Sequence, residues 1–169
     1  MNLVMDFTVD KSSKTIIVKR KFDADISMVW DAFTIPEILD KWWAPKPWQS
    51  KTKMMNFVEN GQRLYAMVGP AKEEHWGLTT YKVIQPEIFY TGLDSFCDNQ
   101  GNINTDLPQS NWETKFTSFA SNKTLVEIKT TYNDLTQLEA IIQMGFKEGM
   151  TKAMEELDEI LTTEKTTNG

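Results

Sequence analysis

The chain has 169 residues, 40% of them hydrophobic and 25% charged, which is the size and balance of one folded domain and not of a disordered chain. A net charge of -6 argues against nucleic acid and against an anionic membrane surface, since both call for clustered Lys and Arg. One cysteine, Cys97, and one histidine, His75, exclude an internal disulfide and the common zinc patterns; the opening MNLVMDFTVDKSSK holds no apolar run, so a cytoplasmic protein with no signal peptide and no membrane span is expected.

Taken in chain order, Thr15–Phe22 reads as a strand, β-branched at its start and alternating towards its end. Leu3–Val9 belongs either to that strand or to a preceding one across the turn-like Asp10–Lys14. Asp25 and Ser27 offer cap oxygens to a short helix with its apolar stripe at Val29, Trp30 and Phe33. Pro36 suits a first helical position, and Glu37–Trp43 is expected as a second short helix. A run of antiparallel strands follows. Lys51–Val58 and Arg63–Val68 flank Asn60-Gly61, a strong hairpin signal. Glu74–Ile84 and Ile88–Phe96 turn at Gln85-Pro86, the polar loop Asp98–Pro108 follows, and Asn111–Phe119 and Thr124–Tyr132 turn near Asn122, a residue suited to the left-handed region. From Leu135 to Leu161, apolar residues at steps of three and four predict one continuous helix of about 40 Å at 1.5 Å per residue. Residues 1–164 are expected to form a single domain, with 165–169 as a polar tail.

Within this order Val18–Trp48, VKRKFDADISMVWDAFTIPEILDKWWAPKPW, resembles the opening of the activator of heat-shock protein 90 ATPase homologue family, a branch of the START-like (SRPBCC) helix-grip superfamily. The matching residues are Arg20, Phe22, Val29, Trp30, Ala32, Phe33, Thr34, Pro36, Glu37, Trp42 and Trp43. Further on, Trp76-Gly77 and Pro86 resemble the family's middle, and Gly149-Met150 with Met154 and Leu157 its close. Asp25 stands where the family usually has proline, and Met150 where it usually has tryptophan. The resemblance implies an α+β, START-like, Bet v 1-like fold: a curved antiparallel sheet wrapped around a long C-terminal helix, two short helices after the first strand, and a deep, largely apolar cavity. It implies no reaction, because the superfamily includes hydrophobic-ligand carriers, cyclases, hormone receptors and chaperone co-activators, and function resides in the site and not in the fold. The family is widespread as single-domain bacterial proteins.

Six Trp and nine Met suit either an aromatic core or the lining of such a cavity. Aromatic or Met identity and strand position nominate Trp42, Trp43, Met54, Tyr65, Met67, Trp76, Tyr90, Trp112 and Phe116 as ligand-binding residues, with Met144, Phe146 and Met150 from the helix. Alternation alone does not say which face looks inward. His75, between two carboxylates and a tryptophan, is read as half-exposed or as a polar group at the cavity mouth. No base stands beside a nucleophile, and no glycine-rich phosphate loop or metal cluster appears, so no residue is assigned to catalysis and no cofactor is expected. Asp94 shares a strand face with Tyr90 and Phe96 and is expected to be exposed unless it serves a purpose. Gly145 and Gly149, inside the expected helix, serve close packing, ligand space or both. The leading functional expectation is a module that binds a small apolar or amphipathic molecule, as a monomer or homodimer. A chaperone partner, favoured by an exposed apolar patch at Trp43–Trp48, and a cyclase- or hydrolase-like enzyme are the alternatives.

Overall fold

The computed structural model describes residues 5–168, with side chains described from Met5 to Thr163. The elements are β1 (Asp6–Asp10), β2 (Thr15–Phe22), α1 (Ile26–Thr34), α2 (Pro36–Leu39), β3 (Gln49–Met55), β4 (Gln62–Val68), β5 (Glu74–Gln85), β6 (Phe89–Cys97), β7 (Ser110–Ala120), β8 (Lys123–Tyr132), α3 (Leu135–Gln143) and α4 (Phe146–Asn168). All strands join one 8-stranded antiparallel sheet in the order β1-β2-β8-β7-β6-β5-β4-β3. The pairing of β2 with β8 joins the first hairpin of the sheet to the last.

The upstream segment forms its own strand, β1, paired with β2 across a turn in which the Asp10 carboxylate accepts from the Ser12 amide at 3.1 Å and the Ser12 hydroxyl at 2.6 Å. Leu3 and Val4 lie outside the described residues. Asn122 takes φ 58°, as its place in the β7–β8 turn requires. The Asp25 side chain makes no cap hydrogen bond, so the apolar face of α1 holds that helix: Val29, Trp30, Ala32 and Phe33 are buried. Trp42 follows the short helix α2 and is fully buried, its Nε1 donating to Ala32 O at 2.9 Å.

The expected single long helix is in fact two. Helix α3 ends at Met144, Gly145 takes φ 92°, and α4 starts afresh at Phe146. A glycine just past a helix end accepts the left-handed conformation that other residues resist, and Gly145 N donates to Ile142 O at 3.0 Å to close the turn. Helix α4 then runs through the expected tail to Asn168. Its Met154, Leu157 and Leu161 pack with Leu138 of α3 on Ile16, Val18, Val126 and Ile128 of the sheet and on Val29 and Phe33 of α1. Met154, Leu157 and Leu138 are essentially inaccessible, and truncating any such side chain to Ala costs roughly 2–5 kcal/mol.

Candidate functional site

Between the concave face of the sheet and the α3–α4 corner lies a cavity of about 690 Å³. Ile141, Met144, Gly145, Phe146, Gly149, Met150 and Ala153 form its roof. Its floor is Tyr65 and Met67 of β4, Gly77 of β5, Asp94 and Phe96 of β6, Ser110 and Trp112 of β7, and Tyr132 of β8. Trp43, Pro45 and Trp48 wall one side; Leu107 and Pro108 close another. At the mouth, exposed His75 stacks on Trp48 with ring centroids 5.4 Å apart. Beyond the mouth, His75, Trp76, Phe96 and Leu107 are shared with a shallower recess of about 360 Å³ under the loop carrying Asp98, Asn99 and Asn104.

One row of partnered residues crosses the concave face from β4 to β8: Arg63, Thr79, Asp94, Ser110 and Tyr132. It is polar throughout, in a surface otherwise aromatic or aliphatic. The Thr79 hydroxyl donates to Asp94 Oδ1 at 2.6 Å, and Ser110 Oγ accepts from Trp112 Nε1 at 2.8 Å. Burial pushes the Asp94 carboxyl up to about 6, against the opposing pulls of the Thr79 hydrogen bond and the Arg63 charge. Asp94 is only partly buried, and the surface it retains lines the cavity.

Arg63 is 3% exposed along its side chain and is engaged elsewhere. Its Nη2 lies 3.2 Å from Asp40 Oδ1 and 3.1 Å from Ser50 Oγ, and its Nε donates to Thr52 Oγ1 at 3.2 Å. The guanidinium also sits 4.0 Å from the centre of the Tyr65 ring. Tyr65 reaches across to Gly77, where an added Cβ would stand 2.7 Å from the ring carbon Cζ; only glycine lets the phenol lie there. Burial, reinforced by Asp94, raises the Tyr65 hydroxyl, so it remains a neutral donor at physiological pH. Burial likewise pushes Tyr132 up to about 12. Trp43 Nε1 is buried and has no hydrogen-bond partner among the described residues.

Of the residues nominated from sequence, Trp43, Tyr65, Met67, His75, Trp76, Trp112, Met144, Phe146 and Met150 line this cavity. Trp42, Met54, Tyr90 and Phe116 do not. Trp42 is core, edge-on to Phe33 at 4.8 Å. Tyr90 and Phe116 belong with Trp30 and Phe57 to an aromatic cluster beyond the cavity, with centroid separations from 5.0 Å to 6.2 Å. Met54 is 44% exposed because the register shift between Thr52 and Met54 sets it opposite Leu64, on the outer face, while Thr52 faces with Tyr65. Asp94, expected to be exposed, instead stands inside. Sequence reasoning also missed Phe96 and Tyr132; Phe96 has the same strand parity as Asp94, so placing one would have placed the other.

The inventory is short on reactive groups. Burial first, then Asp98 and Asp94, pushes the Cys97 thiol up to about 11, the opposite of an activated nucleophile. No group of three or more His, Cys, Asp or Glu among the described residues is arranged to hold a metal ion. None of the described helices is long and apolar enough to cross a membrane.

A curved antiparallel sheet closed over its concave side by a C-terminal helix, with a cavity between them, defines the helix-grip fold of START-like (SRPBCC) domains. Residues 23–162 match the family model described as Activator of Hsp90 ATPase homolog 1-like protein, and the chain belongs to that family. Among solved structures it is similar to protein Ms6760 from Mycobacterium smegmatis, at 26% identity and a TM-score of 0.86, covering 95% of this chain and 97% of that one. A protein from Arthrobacter aurescens is 26% identical with a TM-score of 0.88, over 94% of this chain and 91% of that one. A protein from Staphylococcus epidermidis is 25% identical with a TM-score of 0.80, over 93% and 94%. No curated protein matches the chain.

Proposed function

We propose that the domain of residues 1–164 is a binding module that encloses one small apolar or amphipathic molecule between sheet and helix. The observation that carries this reading is the cavity itself: about 690 Å³, roofed by aliphatic, aromatic and glycine residues, with few polar groups in its floor. Ligand sites have this size and character, a mostly apolar wall of roughly 300–1,000 Å³ with a small number of polar groups that fix orientation. Gly145 and Gly149 support it further. Neither meets close packing where its side chain would be: at Gly149 an added Cβ finds only Pro45 Cγ, at 3.8 Å, and at Gly145 only a Glu148 oxygen, at 3.8 Å.

The family description names an activator of the Hsp90 ATPase, which raises a chaperone-docking reading. That reading draws no support from Trp43–Trp48. Trp43 and Trp48 turn into the cavity, and no large apolar side chain of that stretch is among the exposed ones. An enzymatic reading fares no better, with His75 at the mouth, Cys97 unactivated and Asp94 without a partner base.

The test is native mass spectrometry of the purified chain beside a denatured control, together with uptake of the neutral dye N-phenyl-1-naphthylamine followed by its fluorescence. A stoichiometric mass lost on denaturation, or saturable dye binding that Gly149→Leu abolishes, is the expected result. A clean mass with no dye uptake would overturn the proposal.

A further inference from the structure

We propose that the cavity selects an amphipathic molecule whose polar end is a protonated amine, seated on Asp94, and discriminates against the same apolar body ending in a carboxylate. This rests on the binding-module reading and names the class of ligand within it. The argument starts from the charges that line the wall. Asp94 is the only acidic residue among the lining residues, and no Lys or Arg is among them. A carboxylate guest would therefore meet a carboxylate and find no Lys or Arg to pair with.

The geometry of Asp94 leaves it room for a guest. Its Oδ1 accepts the Thr79 hydroxyl at 2.6 Å, and its Oδ2 accepts no hydrogen bond from any described residue. Along its own strand the neighbours on that face are Gly92 and Phe96; the Tyr65 phenol lies over Gly77, the residue paired with Phe96, and Thr79 Cγ2 would stand 3.3 Å from a Cβ at Gly92, so the carboxylate's remaining open side is the one that lines the cavity. A partly desolvated carboxylate with one bare oxygen favours a charged donor, because ion-assisted hydrogen bonds are about twice as strong as neutral ones. The rings of Trp43, Tyr65 and Trp112 stand around this floor, with centroids 6.4 Å apart for Trp43–Tyr65 and 5.8 Å for Trp43–Trp112; the Arg63 guanidinium already lies over the Tyr65 and Trp43 rings, 4.0 Å and 5.7 Å from their centroids, so the carboxylate and not the rings is the site for the amine.

Other charges near Asp94 do not supply the missing partner. Arg63, two strands away in the same row, is bound to Asp40, Ser50 and Thr52. Tyr65 and Tyr81 on β4 and β5, Tyr90 and Cys97 on β6, and Tyr132 on β8 are all held neutral by burial. His75 of β5 stands at the mouth, stacked on Trp48. Helices α3 and α4 contribute no charged side chain to the roof. With its carboxyl at about 6, Asp94 is mostly ionised at pH 7.5 and mostly neutral at pH 5, so amine binding weakens as the pH falls through that range.

Calorimetric titration with 1-naphthylmethylamine, 1-naphthalenemethanol and 1-naphthoate, which share one ring system and differ in the head, tests this. At pH 7.5 the amine should bind at least tenfold tighter than the alcohol, and the carboxylate more weakly than either. Asp94→Asn keeps an oxygen for the Thr79 hydroxyl and should bring the amine to the alcohol's affinity, as should wild type at pH 5. Its melting curve and its uptake of N-phenyl-1-naphthylamine check that fold and cavity persist. Equal binding of the three heads, or an amine preference that Asp94→Asn leaves intact, overturns the inference and leaves the binding module standing. Failure of all three to bind while the dye enters overturns it equally; failure of the dye as well overturns both.

Discussion

Replacing Asp94 by Asn in the unliganded protein should stabilise the fold at neutral pH. The carboxyl titrates at about 6 in the folded chain against 3.8 for the ordinary group, so folding favours its neutral form. The sign follows directly. Between those two values the folded state holds a proton that the unfolded state has released, so stability falls as the pH rises through the window and is constant above it. At about 1.4 kcal/mol per unit the full difference is roughly 3 kcal/mol, and solvent in the cavity reduces what is realised to about 1–3 kcal/mol. Asn has no charge to desolvate and can still accept from Thr79. For a domain of this length the gain corresponds to a rise of roughly 2–12 °C in Tm at pH 7.5. At pH 4.5 most of it should be gone, and at pH 3.5 the two proteins should unfold together. Urea unfolding of wild type and Asp94→Asn at the three pH values measures this. Equal stabilities at pH 7.5, or a difference independent of pH, would refute the claim that the cavity holds a desolvated carboxylate.

The two roof glycines should respond in opposite directions. Gly149→Ala should raise stability by up to about 1 kcal/mol, because the added Cβ meets only Pro45 Cγ at 3.8 Å and Ala is the better helix former. Gly145→Ala should lower it by about 1–2 kcal/mol, because its φ of 92° strains any Cβ; thermal melts of the pair give the comparison. Arg63→Met should cost roughly 3 kcal/mol in urea unfolding by leaving Asp40 without its cation, and Arg63→Lys should restore only part of that, having one point charge where the guanidinium reaches Asp40, Ser50 and Thr52.

Periodicity placed the strands to within a few residues, because alternation and turn chemistry at Asn122 or the β1–β2 turn are local properties. The α3–α4 break was harder to read. Leu138, Ile142, Phe146 and Met150 keep the spacing of four straight through it, and only Gly145, as a residue able to follow a helix end, carries the signal. The cavity wall was legible as a list of aromatic and Met residues but not as a surface. Met54 left the list through a single extra residue in β3, which no propensity announces. Asp94 joined it because a strand's inward face is decided by what packs above it; five strands had to be registered before Arg63, Thr79, Asp94, Ser110 and Tyr132 fell into one row.

The division at Gly145 separates two duties that one rod would have to share. Helix α4 is anchored by Met154, Leu157 and Leu161 in the core, whereas Met144, at the corner above the cavity, is 55% exposed. Unzipping a turn or two of α3 beside the opening would disturb Leu138, the one buried residue of that helix, and the partly buried Ile141 and Ile142, while the long helix stays packed on the core. Amide exchange should record this as two tiers: slow protons along α4 from Met154 onward, and fast ones at the C-terminal end of α3 that slow once the cavity is filled. The protein would thus trade a small local opening, and not its global stability, for access to its interior.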